Sequence, residues 1–452
     1  MRGKTHLGPE KQVSLLLLLL GGGVACQVLG QVEPGPIEPR QPEPVQTQPV
    51  QTEPGPEPRG SLAGERAAQA LKQSLTNEVY NMHWGPVSLR TETKLEAAYT
   101  DNVFLSEANR LDDYIIYPQV NLTAAMPVGQ LNMLRASVGV GYEWFAKNHS
   151  LNSDVPLVSP GSEFLFNVFV GDFRIKLYDK VSYEQTLTFN QQAGDQPRFY
   201  NFTDVARFDR FDNFAGVAVD WDLNKVIISA GYAHENFIST TQEFEYLNRA
   251  SEWFTSSFNY LLGDRTKAGL EGAVGLHDYY SETTLNDNWR ASGGPFIEAR
   301  LPAGMILRTG GGYEMARFDS TAAPGNDYDN WYAYGKISQE LKWLTHSLSA
   351  GHATLLGDNA NNLRTTYLQY AISSDTIKNL QLEGYFSVNF SKEFGGSYFE
   401  EFRHYLTGAR VGYLFHKYFS ANAGYELFLK DSDTPNLSFY RNLVTVDVTF
   451  RF

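Results

Sequence analysis

The sequence predicts an all-β protein: a closed antiparallel transmembrane β-barrel of about 18 strands behind a disordered, proline-rich N-terminal tether. Three observations predict it. Polar and apolar residues alternate with a period of two over most of the chain from Val87 onward. The connections between those runs are alternately short and long. The chain stops inside such a run, NLVTVDVTFRF, with Val444, Val446, Val448, Phe450 and Phe452 on one parity and Leu443, Thr445, Asp447, Thr449 and Arg451 on the other. Such a strand has two faces in different solvents. Closure against the first strand, near Val87–Tyr99, gives its free edge a partner, which hydrocarbon demands of every backbone group.

Residues 1–30 have the layout of a secretory signal. Arg2, Lys4 and Lys11 precede an apolar run from Val13 to Ala25 that is too short to span a bilayer as a helix. Two processing readings stand open. Cleavage after Val28-Leu29-Gly30 satisfies the small-residue rule. Alternatively, Gly23-Val24-Ala25-Cys26 puts the only cysteine where a lipoprotein signal carries its lipidated residue, although Gly23 replaces the usual leucine. One cysteine supports no disulfide framework in either case. Residues 31–60 repeat Pro, Glu and Gln with few large apolar side chains, so they bury no core and read as an extended linker. Residues 61–86 form a short periplasmic segment, in which SLAGERAAQALKQSLTN has the pattern of a short helix.

The barrel occupies residues 87–452. Its first strand reads VSLRTETKLEAAY; further runs lie near 113–126, 131–146, 162–170, 173–188, 211–223 and 225–239. The remainder fall near 249–262, 266–280, 289–302, 304–318, 328–342, 346–357, 362–374, 378–392, 402–415, 418–430 and 437–452. Short connections such as Gly171-Asp172, Asn224-Lys225 and His416-Lys417 have the turn chemistry of tight hairpins. Long ones, such as 147–161, 189–210 and 319–327, are rich in Asn, Asp, Ser and Gly. Short periplasmic turns and long external loops are the outer-membrane arrangement, and an even strand number puts both termini in the periplasm. Aromatics at 14%, 39 glycines and a mean hydropathy of only −0.34 fit, because interleaved apolar and polar residues cancel in any window. A β-propeller would repeat in blocks of four strands, and no such blade signature recurs.

Arginine or lysine facing lipid at midplane costs about 2–4 kcal/mol, so charges on the polar parity are expected to line the lumen. In the first half these are Arg90, Glu92, Lys94, Glu96, Arg135, Glu143, Arg174, Lys176, Asp220 and Asp222. Later strands add Glu271, Glu298, Arg300, Arg308, Glu314, Arg410, Glu426 and Arg451. With both signs present, they either brace the wall as cross-strand ladders or set pore selectivity. Asp179 breaks the alternation and marks either a bulge or the strand's exit from the bilayer. Gly139, Gly141, Gly310, Gly312, Gly408 and Gly412 also fall inward, where they leave room for large neighbours.

Chemistry of other kinds is unsupported. The sequence has no His-Glu-x-x-His pair, no Cys–His zinc spacing and no Gly-x-Ser-x-Gly elbow, so it predicts no metal, no cofactor and no enzyme. Acidic pairs such as Asp327 and Asp329 match no calcium loop. The net charge of −14 excludes a nucleic-acid partner. What remains is passive passage of solutes. The alternatives are a plugged structural or adhesive barrel, and a barrel-embedded hydrolase.

The stretch YTDNVFLSEANRLDDYIIYPQVNL, residues 99–122, resembles the opening hairpin of the β-barrel porin type 2 family, through Tyr99, Asp101, Asn102, Val103, Asp113 and Pro118. GDFRIKLYDKVSYEQ, residues 171–185, is similar to that family's fifth-strand region. The resemblance implies an outer-membrane conduit, with exopolysaccharide export among the family's roles; the proline-rich linker is not part of its pattern. The partners expected are outer-membrane lipid and the barrel-assembly machinery, which would read the terminal Phe452.

Overall fold

A computed structural model describes residues 80–185, 208–263, 265–281, 284–319, 327–396 and 398–452. The signal, the linker and the helix expected over 61–77 lie outside these residues. Eighteen strands form the wall. They are β1 Val87–Thr100, β2 Asp113–Val128, β3 Asn132–Gly141, β4 Glu163–Val170, β5 Phe173–Glu184 and β6 Arg210–Asp222. Then come β7 Val226–Ser239, β8 Arg249–Gly263, β9 Thr266–Tyr279, β10 Asn288–Arg300, β11 Met305–Phe318 and β12 Tyr328–Glu340. The last six are β13 Thr345–Leu356, β14 Asn362–Ser374, β15 Leu380–Phe394, β16 Glu400–His416, β17 Phe419–Ser432 and β18 Phe439–Arg451. Each strand pairs antiparallel with the next, and β18 closes on β1 from Glu92↔Arg451 to Thr100↔Leu443.

Phe452 extends the seam by one further exchange, its N–H donating to the Thr91 carbonyl at 2.8 Å and its carbonyl accepting from the Thr91 N–H at 3.2 Å. Below the chain end, the segment Met82–Trp84 takes over the same edge of β1. Two more short pieces, Trp144–Phe145 and Leu157–Val158, prolong β3 and β4 toward the long-loop end. The strand expected over 162–170 therefore reaches further, across an offset at Ser159–Ser162; the one expected over 173–188 runs to Glu184, and residues 186–188 lie outside the described residues.

Positive φ angles tighten the short turns, at Gly129 (68°), Gly171 (57°) and Asn224 (68°). The outward parity carries exposed apolar side chains on every side of the wall, including Val120, Val140, Phe258, Leu368, Phe386 and Val446. Aromatics collect beside the short turns: Phe173 stacks on Trp221 at 5.5 Å, and Phe415, Phe419 and Phe450 stack in sequence. Outward ion pairs such as Lys392–Glu401 and Arg317–Asp329 sit at the opposite, long-loop ends. Apolar belt and aromatic girdle are the features a bilayer selects.

Asp179 is the outward exception. Its strand runs in unbroken register against both neighbours, so the bulge reading fails. It faces outward in register with Phe164 and Ala215, and the Asn213 side-chain amide donates to it at 2.6 Å.

Candidate functional site: a hairpin tip folded into the barrel mouth

The inner wall is built from rings laid flat on glycines. A Cβ on Gly141 would come within 2.5 Å of the Tyr117 ring, one on Gly351 within 2.6 Å of Tyr367, and one on Gly408 within 2.4 Å of Tyr385. Gly310 makes the same room for Tyr334, at 2.6 Å. Each ring thus lies against the backbone of a neighbouring strand instead of standing across the lumen. The hydroxyls are then held along the wall, Tyr334 donating to Glu271 at 2.8 Å and Tyr385 to Glu426 at 2.7 Å.

The wall departs from a plain cylinder at one place. Pairing between β12 and β13 runs only from Glu340↔Thr345 to Ala333↔His352, although β12 begins at Tyr328 and β13 continues to Leu356. Beyond His352 the β13–β14 hairpin leaves β12 and leans inward. Its backbone meets side chains of strands it does not adjoin: Thr354 N–H donates to Glu314 of β11 at 3.4 Å. Arg290 of β10 donates to the Leu355 carbonyl at 2.8 Å, the Asn361 carbonyl at 2.7 Å and Asn362 Oδ1 at 3.0 Å. A guanidinium suits this task because its fixed fork of donors can span several acceptors.

The tip, Gly-Asp-Asn-Ala-Asn over 357–361, is short enough to enter the lumen and rich enough in amides to remain satisfied there. Gly357 is required, since a Cβ would lie 2.2 Å from the Ala360 carbonyl oxygen. Asn361 and Asn286 exchange two bonds of 2.9 Å, Asn361 Oδ1 accepting from the Asn286 N–H and its amide donating to Asn286 Oδ1. Glu393 of β15 accepts the Asp358 N–H at 2.9 Å, and Tyr246 donates to Asn359 at 3.3 Å. Burial holds the Tyr246 hydroxyl above the usual tyrosine range, so it remains a donor at any working pH. Beside the tip lies an apolar cluster of Phe208, Phe237, Leu247, Tyr279 and Leu285.

Most of the charged residues expected on the inward parity are found in pairs. Arg451 bonds Glu92 at 3.0 Å across the seam; Lys94 holds Glu96 at 2.6 Å, and Arg135 faces Glu163 at 3.3 Å. Lys267 meets Glu298 at 2.8 Å, Arg308 meets Glu271 at 3.5 Å, Arg410 meets Asp447 at 2.8 Å and Arg441 meets Glu426 at 2.6 Å. Asp220 accepts from Ser229 at 2.6 Å and is in register with Arg174; Asp222 accepts the Asn224 N–H at 2.8 Å and so shapes a turn. Arg90 stands opposite Thr123, Lys176 opposite Asn167, and Arg300 opposite Ile306 at the short-turn end. Glu143 is buried, and Glu314 serves the hairpin tip. Among the described residues no cluster of three metal-ligating side chains occurs; Asp327 and Asp329 flank Arg317 instead.

Solved porins are similar to this chain. OpdK of Pseudomonas aeruginosa, solved with vanillate, is 12% identical over 80% of this chain and 99% of its own, with a TM-score of 0.47. OccK2 (OpdF) of the same organism, solved with glucuronate, is 9% identical over 81% and 98%, with a TM-score of 0.47. A BenF-like porin from Pseudomonas fluorescens Pf-5 is 10% identical over 80% and 99%, with a TM-score of 0.48. No family model and no curated protein matches. The resemblance to the type 2 porins therefore rests on its motif alone, whose residues Asp101 and Asn102 bond to β18 and whose Asp113 collects N–H donors from Tyr114, Lys147 and Asn148.

Sequence reasoning missed the residues that build the mouth, namely Arg290, Asn286, Asn361, Glu393 and Tyr246. Arg290 had a visible signal, an arginine on the inward parity of its run. The asparagines had none, since their pattern is that of any exposed loop.

Proposed function

We propose that this chain is an outer-membrane channel for small polar solutes, with its short turns and both termini in the periplasm and its long loops outside. The observation that carries the reading is the β13–β14 tip bound across the inside of the mouth by Arg290. In this reading the tip, held by side chains from the β7–β8 and β9–β10 connections and from β15, narrows the entrance. The inward charges named above serve as lumen-lining residues in this reading. Their pairing braces the wall and presents both signs to a passing solute. Phe452 serves as the assembly signal, and residues 31–60 as a periplasmic spacer behind a cleaved or lipid-anchored terminus.

A narrowed mouth weighs against export of a polysaccharide chain, which needs a continuous wide bore. The apolar cluster beside the tip favours one other reading, a barrel sealed at rest. Swelling of liposomes holding the purified protein tests the proposal with solutes of graded size. Monosaccharides and amino acids are expected to enter and long oligosaccharides to be refused. Free entry of a long glycan would replace the proposal with a glycan conduit, and refusal of every solute with a sealed barrel.

A further inference from the structure

The Asp-Asn pair that follows β1 has no place in the mouth, yet its polar atoms are engaged at the seam. The main-chain ladder between β1 and β18 reaches Thr100↔Leu443, and side chains continue it. Asp101 accepts from the Asn442 N–H and from the Asn442 side-chain amide, both at 2.7 Å, while its own N–H donates to the Asn442 carbonyl at 3.3 Å. Tyr425 of β17 donates to Asn442 Oδ1 at 2.6 Å, which fixes that amide's orientation.

Asn102 is fully buried. Its amide donates to the Tyr440 carbonyl at 2.9 Å and the Ser106 carbonyl at 2.8 Å, and its Oδ1 accepts the Ser106 N–H at 2.9 Å. Arg110, from the same loop, lies over the Tyr440 ring at 3.8 Å. These are contacts between the first and last strands, about 340 residues apart, so the loop-closure entropy they oppose is the largest in the molecule.

We propose that Asp101 and Asn102 form a closure latch that holds the β1–β18 seam shut at the long-loop end. Every other strand pair is tethered by a turn, the longest a loop between β5 and β6; only this pair must find and keep its partner without one. Buried hydrogen bonds of charged and amide groups are directional enough to fix register as well as strength, and a one-residue slip would leave them unmade. The latch acts on assembly and seam opening, not on solute choice, so it stands whether or not the channel reading does.

The test uses the full chain with Cys26→Ser, refolded into lipid vesicles and followed by hydrogen exchange of strand amides. Asn102→Leu keeps the volume and removes the bonds; Asp101→Asn turns one acceptor into a donor facing a donor. Either is expected to raise exchange in the upper halves of β1 and β18 by about tenfold, with β8 and β9 unchanged. Asp113→Ala, which removes a comparably bonded carboxylate on the β2 side of β1, opposite Thr100 but bonded to Lys147 and Asn148 and not to β18, is expected to leave β18 exchange unaltered. A Thr100→Cys/Leu443→Cys disulfide is expected to restore protection to the Asn102→Leu chain, and to recover folding if that chain does not fold alone. Equal exchange in the Asn102→Leu and parent seams, or loss of protection spread evenly over all strands, or no rescue by the oxidised disulfide, would overturn the latch.

Discussion

At the scale of single residues, the interior follows from two packing rules applied repeatedly. Glycine opposite an aromatic ring lets the ring lie down, and an ion pair lets a charge turn inward. Gly408→Val would push against the Tyr385 ring, 2.4 Å from the missing Cβ, and break the Tyr385–Glu426 bond. Overpacking of this kind costs about 1–3 kcal/mol, readable as a lower urea midpoint of the vesicle-embedded barrel. Lys430 and Glu400 are a buried pair, 7% and 1% exposed, 3.0 Å apart. Lys430→Met strands the carboxylate and is expected to cost about 3–5 kcal/mol, while Lys430→Met with Glu400→Gln recovers part of the loss. The same urea titration decides it. The parity of each charge within its strand was legible in the sequence, because the period of two alone sets it. Which partner each charge takes was not: Arg410 reaches Asp447 two strands away, and register between strands is a tertiary quantity.

At the scale of elements, the β13–β14 hairpin shows where periodicity stops informing. Its alternation continues smoothly through His352, so the sequence reads as one more wall strand. Nothing local signals that the strand parts from β12, because the cause is remote: Arg290 on β10 and Glu314 on β11 supply partners inside the barrel. Arg290→Ala removes three donor contacts to the hairpin. The tip is then expected to leave the mouth, and the size limit for solute entry in the swelling assay to rise by at least one sugar unit. An unchanged limit with an intact fold would place the narrowest point elsewhere. Strand count and turn positions, by contrast, were readable, since the tight turns carry Gly or Asn where φ must be positive and Asp222 braces one of them.

At the scale of the whole molecule, a single topological fact organises the rest. The last strand pairs with the first, so the sheet has no end strand, and the terminal run of valines and phenylalanines has its partner. A closed barrel of this kind resists detergent below its melting point. The unheated protein is therefore expected to migrate faster than the boiled protein on a denaturing gel, and identical mobility would argue for an open sheet. The measurement that tests the central claim most directly is current through planar bilayers holding the purified chain. Discrete, ohmic conductance steps are predicted, larger for Arg290→Ala than for the parent. A bilayer that stays silent for both proteins, with the gel shift present, would contradict a channel and leave a sealed barrel in its place.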